Sequence, residues 1–219
     1  MKIKRLRPRE TEPVPRLLPF RDPAWTGRSY RMHDSMRGGE MLVFMAQEVV
    51  EGVQEHARQK QDEVFGIVLG DYAVDQEIGQ TFLVVQRHIA SELAKSHQDH
   101  VRVDHEAWME IHEKWETSCP DKLKVGWYHT HPGYGIFLSR KDLFIQEQFY
   151  RYPEYRYMIA WVLDPLTEID GTMDNGIFLW LDGRVTERTG YLIFTCRRDG
   201  PMTEQGVQEN GTNTGTPGR

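Results

Sequence analysis

Cysteine is scarce: only Cys119 and Cys196 occur among 219 residues. The pair has no metal-type spacing, and a single bridge would make a poor secretory framework. Both therefore read as reduced, structural residues of a cytoplasmic protein. Long hydrophobic runs are missing too. The longest, Tyr157 to Leu163 and Met41 to Met45, are far too short to cross a bilayer, which argues against a helical membrane protein. The opening MKIKRLRPRE is basic but lacks the apolar stretch of a signal peptide. No internal repeat and no recognised nucleic-acid module is present, so neither a membrane nor a nucleic acid is expected as a partner.

What remains is an ordinary globular composition, 39% hydrophobic and 27% charged. The length suits one domain with appendages and a sizeable core. Charge divides unevenly. Ten Lys/Arg against four Asp/Glu give residues 1–37 a net of +6, and the remainder carries −12 to reach the overall −6. Five prolines in that leader favour an extended arm that packs on the domain or touches a partner. From Arg197 onward Gly, Thr, Asn and charge dominate, the composition of a disordered tail. The expected organisation is a basic Pro-rich arm over 1–37, a folded domain over 38–196 and a polar tail over 197–219.

Periodicity within the domain gives an α/β order. Ser29 to His33 reads as a short strand. Leu42, Met45, Ala46, Val49 and Val53 follow helical spacing and predict a helix over Met41 to Gln59. Val64 to Leu69 and Thr81 to His88 read as a strand pair. Val101 to Val103 is a short strand ahead of Asp104, a possible N-cap for a helix over His105 to Thr117. In that helix Trp108, Ile111 and Trp115 form a stripe better suited to a core than to ligand binding. Strands are expected again at Leu123 to His131, Arg156 to Leu163, Gly176 to Leu181 and Thr189 to Thr195, with a helix over Ser139 to Tyr150.

The chemistry concentrates in HTHPGYGIFLSRKD, which runs from His129 to Asp142. Side chains two apart on a strand share a face, so His129 and His131 can grip one ion, and Trp127 lies on that face while Tyr128 points away. Trp127 is expected as a packed aromatic beneath the site. Pro132 and Gly133 end the strand, and Asp142 can return from the following helix. Three N/O ligands leave a tetrahedral Zn²⁺ one open position, the arrangement of catalytic zinc. Simpler readings compete. Ser139 to Asp142 is also a capping box, an isolated H-x-H is common, and Glu63 at a strand edge is ordinarily solvated. His97 and His100 with Asp99 could hold a second ion, but a polar loop fits them better.

Taken together, His129, His131, Ser139 and Asp142 at this spacing, with Glu63 ahead of Val64-Phe65-Gly66-Ile67-Val68-Leu69-Gly70, resemble the signature of the JAMM (MPN+, JAB-type) zinc metalloproteases. The likeness spans Met41 to Phe194, and its flanking GWYHTHPGYGIFLSRKDLFI resembles prokaryotic members. It implies a mixed α/β sheet flanked by helices with cytidine-deaminase-like architecture. It implies one Zn²⁺ per chain held by His129, His131 and Asp142. Glu63 would be the base for water activated by zinc, and Ser139 the donor to the developing oxyanion. The implied activity is removal of a ubiquitin-like protein from conjugates, or trimming of its C-terminus. A ubiquitin-like protein and its E1- and E2-like enzymes are the partners that the resemblance implies. Tyr134 and Phe137 are candidates for gating the substrate, and insertions within residues 71–122 and around 164–175 for contacting it. The alternatives are processing of a sulfur carrier or small acyl-amide on the same centre, and a silent MPN scaffold.

Overall fold

The computed structural model describes residues 13–25, 28–34, 41–60, 62–93, 95–97, 100–102, 105–152, 155, 157–181 and 184–195. Its elements in chain order are β1 (Val14–Pro15), β2 (Tyr30–His33), β3 (Met41–Ala46), α1 (Gln47–Arg58), β4 (Phe65–Asp75), β5 (Gln80–Ala90), β6 (Lys95–His97) and β7 (His100–Arg102). There follow α2 (His105–Ser118), β8 (Leu123–Thr130), α3 (Arg140–Tyr150), β9 (Ile159–Ile169), β10 (Thr172–Phe178), β11 (Trp180–Leu181), β12 (Arg184–Val185) and β13 (Tyr191–Phe194). The main sheet runs β10-β9-β8-β4-β5-β3-β13-β2, and β1 pairs in parallel with the far end of β4. Pairing is mixed: β4 is antiparallel to β5 and β8, while β8 with β9 and β3 with β5 are parallel. A ring nitrogen of His33 on one end strand lies 3.3 Å from the Asn175 carbonyl on the other, so the sheet curls until its two edges approach.

Two apolar layers cover the sheet. On one face Val49, Val50, Val53 and Ala57 of α1 pack against Val68, Tyr128 and Trp161. On the other, Ile111 of α2 joins Phe65, Ile67, Trp127 and Val162, with Trp108, Trp115, Ile145 and Phe149 closing the edges. The alternation expected on β8 is thus realised: Trp127 lies under α2 and α3, and Tyr128 under α1. Gly66 sits opposite Tyr128 in the ladder, and a Cβ there would overlap the tyrosine ring, so the missing side chain is what lets Tyr128 lie across β4 and reach His56 Nδ1 at 2.8 Å. Among the described residues no helix is long and apolar enough to cross a membrane.

Three expectations need correction. Met41 to Ala46 is a strand, and the helix begins only at Gln47. Met41, Val43, Phe44, Met45 and Ala46 are all buried, as a central strand covered on both faces requires. Residues 164–175 are strand for most of their length rather than loop, since β9 and β10 make a hairpin with one bulge, closed by Asp170 (φ 52°) and Gly171 (φ 73°). Positive φ at both central positions is what a tight hairpin turn demands. Residues 71–122 are mostly regular, being the ends of β4 and β5, the β6–β7 hairpin and α2. In the basic arm, β1 and β2 join the sheet, and Arg21 binds Asp75 at 2.6 Å. Asp99, Asp104, Cys196 and the tail from Arg197 lie outside the described residues.

Candidate metal centre

The end of β8 lies between two strands whose registers fix what surrounds it. Phe65 on β4 faces His129, and Leu163 on β9 pairs with Thr130. Beyond the strand the pairing persists: His131 N–H donates to Leu163 O at 2.8 Å, and Thr130 N–H to Val64 O at 3.2 Å. Thr130 is fully buried, and its hydroxyl accepts from Val64 N–H at 2.9 Å. Glu63 lies two residues before Phe65, just ahead of the last contact between β4 and β8.

After His131 the chain reverses in a turn whose ends are joined by Tyr134 N–H donating to His131 O at 3.1 Å. Pro132 occupies its second position and Gly133, at φ +77°, its third, the combination a type II turn requires. The chain then reaches Ser139, which begins α3. Ser139 Oγ accepts from Asp142 N–H at 3.3 Å, and Asp142 Oδ2 accepts from Ser139 N–H at 2.7 Å, a reciprocal capping box. That cap fixes Asp142 in the first turn, leaning toward β8.

Three side-chain atoms meet there. His129 Nε2 and His131 Nε2 are 3.1 Å apart, and Asp142 Oδ2 lies 3.4 Å from the first and 3.5 Å from the second. A tetrahedral zinc with bonds of about 2.0–2.2 Å needs ligand atoms about 3.3–3.5 Å apart. The triangle fits. All three residues are buried, and they are the one such His/Cys/Asp/Glu group among the described residues. Two Nε2 atoms this close can share one proton at most, and each also faces an anionic oxygen. A cation would satisfy all three at once. The protonation states favour that: burial pushes the His129 pKa down, toward the neutral ring. Burial alone would raise Asp142, but hydrogen bonds from His129, His131 and Ser139 outweigh it and hold the carboxyl well below its usual range. Neutral imidazoles and an ionised carboxylate are the metal-binding forms.

Support comes from a residue that sequence reasoning passed over. The Trp127 ring stacks on His129 at 4.7 Å and 11°. Its indole N–H donates to Gln146 Oε1 at 2.6 Å, and Gln146 Nε2 donates to Met158 O at 2.6 Å. Gln146 therefore clamps the aromatic floor under His129. Its signal was available, because Gln146 lies four residues after Asp142 on the same helical face. Of the proposed gating residues, Phe137 lies with its ring 4.7 Å from that of His131, while Tyr134 is 69% exposed at the turn. Ser139 stands at the helix cap, and Glu63, two residues ahead of β4, is outside the converging trio.

A curled mixed sheet with two histidines leaving one strand and an aspartate in the next helix defines a JAB/MPN domain. The chain belongs to that family: residues 42–155, just over half of it, match the JAB1/Mov34/MPN/PAD-1 ubiquitin protease family, which includes the JAMM deubiquitinases. Among its relatives, the ubiquitin carboxyl-terminal hydrolase RPN11 of Saccharomyces cerevisiae is 26% identical over 131 residues, 60% of this chain and 39% of that protein. A 26S proteasome regulatory subunit RPN11 of Encephalitozoon cuniculi is 24% identical over 140 residues, 59% of this chain and 45% of the relative. The COP9 signalosome complex subunit 5 of Kluyveromyces lactis is 42% identical over 65 residues, 29% of this chain and 17% of the relative. The chain thus spans less than half the length of the relatives it matches.

Proposed function

We propose that this chain is a zinc-dependent isopeptidase or peptidase that removes a ubiquitin-like protein from its conjugates or processes its C-terminus. The observation that carries the reading is the triangle of His129 Nε2, His131 Nε2 and Asp142 Oδ2, sized for one tetrahedral ion. When bound, zinc supplies Lewis acidity, acidifying a water and polarising the scissile carbonyl. The protein's own groups do the rest. His129, His131 and Asp142 hold the ion with a net positive charge. Glu63, just ahead of the strand that faces His129, would take the proton from the attacking water and deliver it to the leaving amine. Ser139 serves twice, because its oxygen accepts in the helix cap and its own hydrogen remains free to donate to the developing oxyanion. Phe137, packed on the His131 ring, and Tyr134 in the turn before it would narrow the centre to an extended, Gly-Gly-ended tail. The relatives named for ubiquitin hydrolysis and for proteasome and COP9 signalosome subunits support a ubiquitin-like substrate. The E1- and E2-like enzymes that attach such a protein are the further partners we infer, with one Zn²⁺ per chain and a cytoplasmic setting.

Zinc content together with cleavage of a ubiquitin-like protein fused through Gly-Gly tests the proposal. One zinc per chain and cleavage after the second glycine is the expected pair of results. Zinc without cleavage of that fusion or of an isopeptide-linked conjugate would contradict the activity. The dual role of Ser139 has its own test. Ser139→Ala should keep its zinc and lose about 10²–10³-fold in kcat. Its melting temperature should fall by the few degrees that losing a cap worth about 1 kcal/mol implies. A lower melting temperature with kcat unchanged would reduce Ser139 to a cap.

A further inference from the structure

Asp164 has no part in the chemistry above, yet it is the most heavily satisfied carboxylate near the centre. It is 1% exposed and accepts four hydrogen bonds. Oδ1 takes Gly133 N–H at 2.8 Å and Leu166 N–H at 3.0 Å. Oδ2 takes Gly135 N–H at 3.1 Å and the Thr167 hydroxyl at 2.9 Å. An ionised carboxylate has about four lone-pair sites, and here all are filled. Two donors belong to the turn leaving His131, and two to β9.

The β9 donors come from an interruption in the ladder. Met173 pairs with Glu168 and its neighbour Asp174 with Asp164, so Pro165, Leu166 and Thr167 bulge from the hairpin. A proline, which has no N–H to give a ladder, is at home there. The bulge pushes Leu166 into solvent at 73% exposure, and its Cδ1 lies 3.6 Å from where a Cβ on Gly133 would stand. Gly133 and Gly135 both have positive φ, +77° and +81°, which presents their N–H groups inward to the same carboxylate. One buried anion thereby joins the loop carrying Tyr134 and Phe137 to the bulge carrying Leu166.

We propose that Asp164 is a positioning residue that locks the turn after His131 to the Pro165–Thr167 bulge, fixing Tyr134, Phe137 and Leu166 as one apolar wall beside the metal centre. The substrate residues next to the scissile bond would be aligned against that wall. The alignment rests on the hydrolase reading, whereas the lock does not.

The test uses Asp164→Asn in the full chain, supplemented with zinc. An amide offers a single acceptor oxygen, and its NH₂ would face N–H donors, so both segments lose partners. Amide hydrogen exchange, read without substrate, should speed up at Gly133 and Gly135 by about tenfold or more while α1 and β5 keep their protection. Zinc should stay at one per chain. With a Gly-Gly-ended ubiquitin-like fusion, kcat should fall by about 10–100-fold while KM changes little, as misplacement without loss of binding predicts. Leu166→Ala, at an exposed site, should instead raise KM. Exchange within twofold of wild type at both glycines would overturn the lock, and so would a rise spread evenly over the whole sheet. Locally faster exchange with kcat unchanged would overturn the alignment role. If Asp164→Asn does not fold, Thr167→Val removes one donor without disturbing the backbone. Faster exchange at Gly135 would then support the lock, and none would refute it. A wild-type chain that cleaves nothing would defeat the hydrolase reading, and the exchange result would still decide the lock.

Discussion

Glu63→Gln should abolish turnover while the protein keeps its zinc. The expectation follows from where β4 begins. Phe65 faces His129 in the antiparallel ladder, and continuing that register by two residues would set Glu63 across from His131. The converging atoms are those of His129, His131 and Asp142, and Glu63 is not among them, so its loss should leave the metal bound. Glutamine preserves shape and polarity but cannot take a proton, so the loss should match a missing general base, about 10²–10⁴-fold in kcat. Single-turnover cleavage of a Gly-Gly-ended fusion and metal analysis of the same preparation give the two readings. Loss of zinc would make Glu63 a ligand, and full activity would remove it from the chemistry.

His131→Ala should lose zinc and activity together. A site with three protein ligands has none to spare, and metal affinity depends on every one. His131 is the cleaner of the two histidines to remove. The His129 ring lies stacked on Trp127, so its truncation would also open a hole above the aromatic floor. His131 lies just past the end of β8, and its ring packs against those of His129 and the half-exposed Phe137. Circular dichroism and thermal melting should show a folded variant, with zinc at background and no cleavage at any substrate concentration. Retained zinc with lost activity would shift His131 from ligand to catalytic contact.

The centre was legible because its parts are local. His129, His131, Ser139 and Asp142 span fourteen residues, and strand alternation, a Pro-Gly turn and a capping box are short-range rules that one chain segment can show. Trp127 followed from the same alternation. Met41 to Ala46 misled for a physical reason. Its apolar residues continue the spacing of Val49 and Val53 without a break, and the N-cap of α1, Ala46, has no side-chain cap to mark the boundary. The ladder pairing that makes the segment a strand comes from β5 and β13 on either side, and neither is near in sequence. The β9–β10 hairpin did leave a trace in Asp170-Gly171, but the polar bulge at Asp164 interrupts the alternation that would have revealed two strands. Asp164 could not be recognised at all from sequence, since its partners Gly133 and Gly135 lie about thirty residues upstream.

The most direct measurement is a crystal of the zinc-supplemented protein, with anomalous differences collected on both sides of the zinc edge. One peak per chain, about 2.0–2.2 Å from His129 Nε2, His131 Nε2 and an Asp142 carboxylate oxygen, is the expected result. A fully folded, zinc-saturated chain whose peak lies elsewhere, or which shows none between these three side chains, would contradict the account.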